Sequence, residues 1–336
     1  MSDSSSSHSC FNTIFVEESA EEHPKTREIL DRLNTSTYTT CKHHKDVFNR
    51  KNQLFSAQKS NPSLILARKE PPFIYPFSDF IQDYARPSFY ISILKNCIYD
   101  CKYCYLQQND SANLLYFVNN EEFINEASKL PKNARISISY DTDLLALDSL
   151  LNSIGHWIEF AKTSPDKLIE LRTKSTNIGI LLNQDIPPNF QIAYTLLPEQ
   201  IQQTYEKNTP KLKSRLNAIQ KLQSKGINIM ICIDPIIAHK EYDKLYLPFV
   251  DKLREHIDAQ NLSFSIGVFR LNLGTLKNIT KKEIKSDLLY LPYEKIEDEA
   301  TYSRDVTKSL LEGLEKKIKD NFANTEVYKP QFKKGA

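Results

Sequence analysis

Between Ser88 and Phe269, short aliphatic runs alternate with helical segments, and this alternation constrains the fold more than any other feature of the chain. Six runs read as strands: residues 88–94, 134–139, 168–173, 190–195, 227–233 and 262–269. Helical stretches lie between them at 120–130, 144–163, 178–182, 210–225 and 240–260. Strands buried on both faces show near-continuous Val, Ile and Leu, whereas strands with one wet face alternate. Ile227 to Ile233 is of the continuous kind. Parallel neighbours also need a long crossover, usually a helix. The pattern therefore predicts an α/β chain with a parallel sheet covered by helices. Local signals agree: Asp143 is placed to cap the 144–163 helix, and Gly226 to end the 210–225 helix in a left-handed conformation.

The rest of the chain sets the organisation. Residues 1–10 are Ser-rich and polar, the composition of a disordered end. Residues 11–87 read as an N-terminal α/β appendage, with a strand at 12–17, a helix at 24–33 and a strand at 63–67. It closes with a Pro-rich linker in which Phe73, Tyr75, Phe77, Phe80 and Tyr84 are interspersed. Residues 88–275 form the core, and 276–336 are expected to be a helical extension. The net charge of +2 gives no broad basic face from the total, although a local basic groove is compatible with it. No apolar run approaches the roughly 18 residues of a membrane span, and no secretory leader pattern opens the chain. Six cysteines without paired spacing fit a reducing cytoplasm, where thiolates stay available for metal.

Three of those cysteines carry chemistry. Cys97, Cys101 and Cys104 are spaced C-x3-C-x2-C in the run Cys-Ile-Tyr-Asp-Cys-Lys-Tyr-Cys-Tyr-Leu-Gln. Three thiolates can hold three irons of a [4Fe–4S] cluster and leave the fourth open to a ligand. Structural zinc wants four closed ligands, and no second C-x2-C or C-x-H pair completes such a set.

The loop resembles that of the radical S-adenosylmethionine superfamily, and in particular the spore photoproduct lyase family. The similarity extends to Leu171-Arg172-Thr173-Lys174-Ser175, to Tyr205-Glu206-Lys207-Asn208-Thr209-Pro210 with Arg215-Leu216-Asn217-Ala218 and Gly226, to Asp234-Pro235-Ile236-Ile237, to Gly267-Val268-Phe269-Arg270, and to Tyr302-Ser303-Arg304. The resemblance implies a partial (β/α)6 TIM-like barrel, with functional groups at the C-terminal ends of its strands. It implies a [4Fe–4S] cluster and S-adenosyl-L-methionine as cofactors, and homolytic repair of a thymine photoproduct in DNA through a 5′-deoxyadenosyl radical. Damaged DNA, a reductant such as flavodoxin or ferredoxin, and a cytoplasmic monomer go with it.

Residue roles follow from the same resemblance. Tyr103 and Tyr105 flank Cys104, where the family's tyrosines contact the nucleoside cofactor and pass a hydrogen atom. Ser139 and Asp141 suit the amino group of the cofactor, Lys174 its carboxylate, and Thr195 its ribose or carboxylate. Asp234, His239, Arg270 and Arg304 are candidates for substrate contact, as are lysine clusters at 277–285 and 316–319. The family's hydrogen-donating cysteine has no counterpart here: aligning on Asp143 places Tyr140 at its position. That departure leaves a related radical enzyme with another substrate as an alternative, and a non-catalytic iron–sulfur or DNA-binding protein as a second. Glu206 and Arg215 read as a structural ion pair, and Cys232 as a buried small apolar side chain.

Overall fold

The computed structural model describes residues 11–329 apart from 49, 51, 54, 78–85, 283 and 285. The expectations for residues 1–10, for Phe80 and Tyr84 and for Lys285 lie outside the described residues.

The six aliphatic runs form one sheet. Ser88–Ile91, Arg135–Ser137, Leu168–Thr173, Phe190–Thr195, Ile229–Ile236 and Leu262–Val268 are parallel neighbours in chain order. Ile74–Pro76 adds an antiparallel strand at one edge, and Glu326–Tyr328 a parallel strand at the other. The helices Asn120–Ser128, Ile154–Thr163, Leu212–Gln223, Tyr242–His256 and Arg304–Asn321 bury apolar faces, so that Trp157, Leu216, Ile219, Phe249 and Leu314 join the continuous core. This is the partial α/β barrel expected. Gly226 has φ +74°, and Gly226 and Ile227 donate back to Gln223 and Leu222 to close the Leu212–Gln223 helix.

The appendage folds as a five-stranded sheet in the order Thr39–Cys41, Ile14–Glu17, Leu64–Ala67, Leu114–Phe117, Leu94–Lys95. Two of its strands come from beyond the Pro-rich linker. Leu114–Phe117 is fully buried and does not figure among the strands read from sequence. Its four residues alone do not separate strand from helix, and it is its neighbours Leu64–Ala67 and Leu94–Lys95 that make it a strand.

Two further expectations are corrected. The 144–163 segment is not one helix: a 3₁₀ turn Leu144–Leu147 and a short helix Asp148–Leu151 precede Ile154–Thr163. Asn152 is left-handed at φ 45°, and the Asp148 carboxylate accepts the N–H groups of Ser153 and Ile154 at 2.8 Å, which restarts the helix. The C-terminal extension is not purely helical. Arg270–Asn272, Glu294–Ile296 and Glu299–Thr301 make a small antiparallel sheet before the last helix.

Candidate active site

The cysteine loop is clamped at its base. Asn96 sits at φ 68°, a conformation asparagine tolerates, and its amide donates to the carbonyls of Ser111 (2.8 Å) and Asn113 (2.7 Å). The loop's middle is held by a second element: Asp100–Cys101 pairs with Glu206–Lys207, and Lys102 N–H donates to the Tyr205 carbonyl at 2.8 Å. Glu206 is fully buried, paired with Arg215 at 2.5 Å, and accepts the Tyr103 hydroxyl. Arg215 also donates to the carbonyls of Thr195 and Pro210, both at 2.9 Å. The ion pair inferred from sequence is present, and what it fixes is the wall behind Cys101.

All three loop cysteines line one cavity of about 120 Å³, together with Tyr103, Ser139, Asp143, Lys174 and Thr195. A single zinc ion with bonds of about 2.3 Å would draw three sulfurs to about 4 Å of one another. Among the described residues, the three loop cysteines do not offer ligand atoms within 4.8 Å of one another. Three thiols lining one cavity fit a cluster held by three cysteines. Desolvation raises all three thiols, Cys97 to about 12. A bound metal, as the dominant local charge, is what would release those protons.

Lys174 follows strand Leu168–Thr173 and stands 4.0 Å from Glu206 and 5.7 Å from the centre of the Tyr103 ring. Burial works against its charge, but nearby Cys101 and Glu206 hold its ammonium above the usual value. Its backbone N–H donates at 2.6 Å to Asp143, which also accepts the Thr173 hydroxyl (2.7 Å) and caps Ala146 (3.2 Å). Asp143 is thus the expected cap, and it also ties two strand ends together.

A second cavity of about 580 Å³ adjoins the first and shares Tyr103, Cys104, Ser139, Tyr140, Arg172, Lys174 and Thr195 with it. One wall is aromatic: Tyr140 packs against Phe77 (5.1 Å between centroids), Tyr90 (4.3 Å) and Tyr105 (5.5 Å). The Tyr105 hydroxyl donates to Asp141 at 2.7 Å and contacts the Tyr140 carbonyl at 2.9 Å, while Ser92 donates to the other Asp141 oxygen. Ser139 spans to the next strand, accepting from Arg172 N–H (2.7 Å) and donating to its carbonyl (2.8 Å). The cavity also has an ionic lining. Asp234 lies between Arg172 (3.6 Å) and Arg270 (3.8 Å), Arg270 reaches Glu299 (3.7 Å), and Arg135 pairs with buried Glu170.

The structure therefore gathers Cys97, Cys101, Cys104, Tyr103, Tyr105, Ser139, Tyr140, Asp141, Lys174, Thr195, Asp234 and Arg270 around two contiguous cavities at the strand ends. It does not bring His239 or Arg304 there. His239 turns its Nδ1 back to accept the Glu241 N–H at 3.1 Å, and Arg304 is exposed at the start of the last helix. Cys232 is fully buried beside Ala193 and Met230, as a small apolar side chain would be. Glu170, Arg172, Arg135 and Glu299 are cavity residues that sequence reasoning missed. A signal existed for two of them: Glu170, Arg172 and Lys174 recur at period two in an otherwise apolar strand, which puts all three on one face.

A family model described as spore photoproduct lyase matches residues 10–328. Spore photoproduct lyase of Bacillus subtilis (strain 168) is 23% identical over 341 residues, covering 94% of this chain and 96% of that protein. Spore photoproduct lyase of Geobacillus sp. (strain Y412MC61) is 22% identical over 218 residues, covering 61% and 64%. A solved structure of spore photoproduct lyase complexed with dinucleoside spore photoproduct shares the fold, with a TM-score of 0.83 at 17% identity over 95% of this chain and 98% of that one. A doubly substituted form with bound AdoMet and the dinucleoside gives 0.81 at 17% identity over 94% and 98%. No helix among the described residues is long and apolar enough to cross a membrane. With the family model spanning nearly its whole length, the chain belongs to the spore photoproduct lyase family.

Proposed function

We propose that this chain is a radical S-adenosylmethionine lyase that reverses a thymine photoproduct in DNA. The observation that carries the reading is the contiguity of a three-cysteine cavity with a larger aromatic and ionic cavity through Tyr103, Cys104, Ser139, Tyr140, Arg172, Lys174 and Thr195. When bound, a [4Fe–4S] cluster and S-adenosylmethionine would supply the one-electron reductive cleavage from which hydrogen abstraction starts. The protein's own groups would do the rest. Cys97, Cys101 and Cys104 hold three irons. Lys174, kept charged by Glu206, receives the methionine carboxylate, and Thr195 flanks it. Asp141, fixed by Tyr105 and Ser92, and the remaining acceptor site of Ser139 receive the amino group. Tyr90 and Tyr140 offer faces for the stacked bases of an unpaired lesion, and Arg172 and Arg270 offer donors to its polar edges. Tyr103 lines both cavities and Tyr105 the larger one, and a hydrogen atom would pass by way of these tyrosines. Damaged DNA is the partner this reading requires, with a small electron-carrier protein as reductant.

Anoxic reconstitution tests it: about four irons per chain, reductive cleavage of S-adenosylmethionine, and conversion of a photoproduct dinucleoside into two thymidines are the expected results. A Lys174→Gln variant should bind the cofactor about tenfold to a hundredfold more weakly, the worth of one charge-assisted hydrogen bond. Zinc in place of iron, or a cluster unaffected by the cofactor, would sink the proposal. One observation favours a second reading, a related radical enzyme on another substrate. Alignment on Asp143 puts Tyr140 where the family's hydrogen-donating cysteine stands, Tyr140 packs in the aromatic wall, and among the described residues Cys104 is the only thiol lining the larger cavity. Cofactor cleavage without reversal of the photoproduct would select that reading.

A further inference from the structure

The appendage sheet carries a group of side chains that the chemistry above does not use. Glu17 ends strand Ile14–Glu17, and its in-register neighbour Cys41 ends the three-residue edge strand Thr39–Cys41. Two residues on, His43 and His44 open the 3₁₀ turn His44–Asp46, which folds back over the sheet. One ligand atom each from Glu17, His43 and His44 lies within 4.8 Å of the other two, a convergence not found at the cysteine loop.

The arrangement is built from several directions. The Glu17 carboxylate is buried, and Oε2 accepts both the His44 backbone N–H and His44 Nδ1 at 2.7 Å, while Oε1 accepts the Ser19 hydroxyl. The His44 ring is held edge-on against Phe117 at 5.5 Å, and the two imidazoles lie 4.3 Å apart. His43 Nδ1 accepts the Lys45 N–H at 3.0 Å, and its backbone N–H donates to Asp46, so its turn is fixed and Nε2 is its ligand atom. His43 is exposed, which gives an ion a path inward. Two imidazoles and a carboxylate are a ligand set of the zinc class, with the remaining position left to water. Lys42 and Lys45 flank the turn and oppose a cation; the carboxylate offsets them.

We propose that Glu17, His43 and His44 bind one divalent transition-metal ion of the zinc class. Such an ion cross-links the edge strand Thr39–Cys41 and its following turn to strand Ile14–Glu17, adding to the three-residue ladder and the Glu17–His44 hydrogen bonds. The site is independent of the cysteine loop and of the function proposed above.

Zinc and cobalt binding to the full-length chain tests this, in the wild type and in a form with Cys97, Cys101 and Cys104 replaced by serine so that the loop cannot contribute. One equivalent of zinc should bind to the loop-substituted form, and cobalt should give a low-symmetry nitrogen/oxygen spectrum without a thiolate band. The variants His43→Asn and His44→Asn should each weaken binding by about tenfold or more. Should the loop-substituted form fail to fold, the difference in zinc content between iron-loaded wild type and iron-loaded His43→Asn, a substitution at an exposed ring, reads the same site. Absence of the additional equivalent, or equal affinity in both histidine variants and the wild type, would overturn the proposal and leave Glu17–His44 as a structural hydrogen bond.

Discussion

Arg215 has no exposed surface, and its partners are Glu206 and two carbonyls, one of them at the end of a barrel strand. Removing one member of such a pair strands the other charge in low dielectric, a cost of about 3–5 kcal/mol. Arg215→Met should lose that much in urea unfolding, and should also loosen the loop that Glu206 backs, seen as lower iron retention. Glu170 makes a second case. Burial alone would raise its carboxyl, yet Arg135 and Arg172 beside it hold it below the ordinary value of 4.5. The unfolded chain therefore takes up this proton first as pH falls. The stability contributed by Glu170 is present above pH 4.5 and drains away as pH drops through its native value. Glu170→Gln should be less stable at neutral pH and show a flatter acid limb, measured by thermal melts across pH. Tyr103, Tyr105 and Lys174 were visible in sequence because they sit in or beside a motif. Glu170 and Arg172 share a period-two face with Lys174, but that face declares its importance only once it is known to point inward.

The strands place these residues, and their own composition makes room for them. Gly267 lies in strand Leu262–Val268, where a methyl group built on its Cα would come within 2.9 Å of both Arg270 Nη1 and Asp234 Oδ1. The glycine is there for closeness of approach, since its backbone needs no left-handed angle. Gly267→Ala should push the Asp234–Arg270 pair apart and weaken binding of a photoproduct dinucleoside more than it lowers the melting temperature, a split readable by titration beside a melt. The helix elements divide in the same way between local and distant causes. Leu212–Gln223 ends where Gly226 says it should. The 144–163 segment breaks in two because Asp148 captures the two N–H groups that would begin the next turn, and periodicity alone carries no trace of that competition.

At the scale of the whole molecule, a net charge of +2 argues for few phosphate contacts and against a broad electrostatic grip. Binding of photoproduct-containing DNA should therefore have a shallow salt dependence, a log–log slope near about −3 for roughly three phosphates. Fluorescence anisotropy between low and moderate salt measures it, and a slope of −8 or steeper would reveal a basic face that the total charge hides. What the amino-acid sequence alone determined was the parallel sense of six strands, the cysteine loop and the gathering of its motifs at the strand ends. Strand–helix alternation and motif spacing report what each short segment must bury, and that information is local. The tertiary structure alone decided that Leu114–Phe117 joins the appendage sheet, that the C-terminal segment contains a hairpin, that Asp234 lies between Arg172 and Arg270, and that Glu17 meets His43 and His44. Each of these depends on chain closure between segments that share no periodicity, where the partner is selected by the geometry of the finished sheet and barrel.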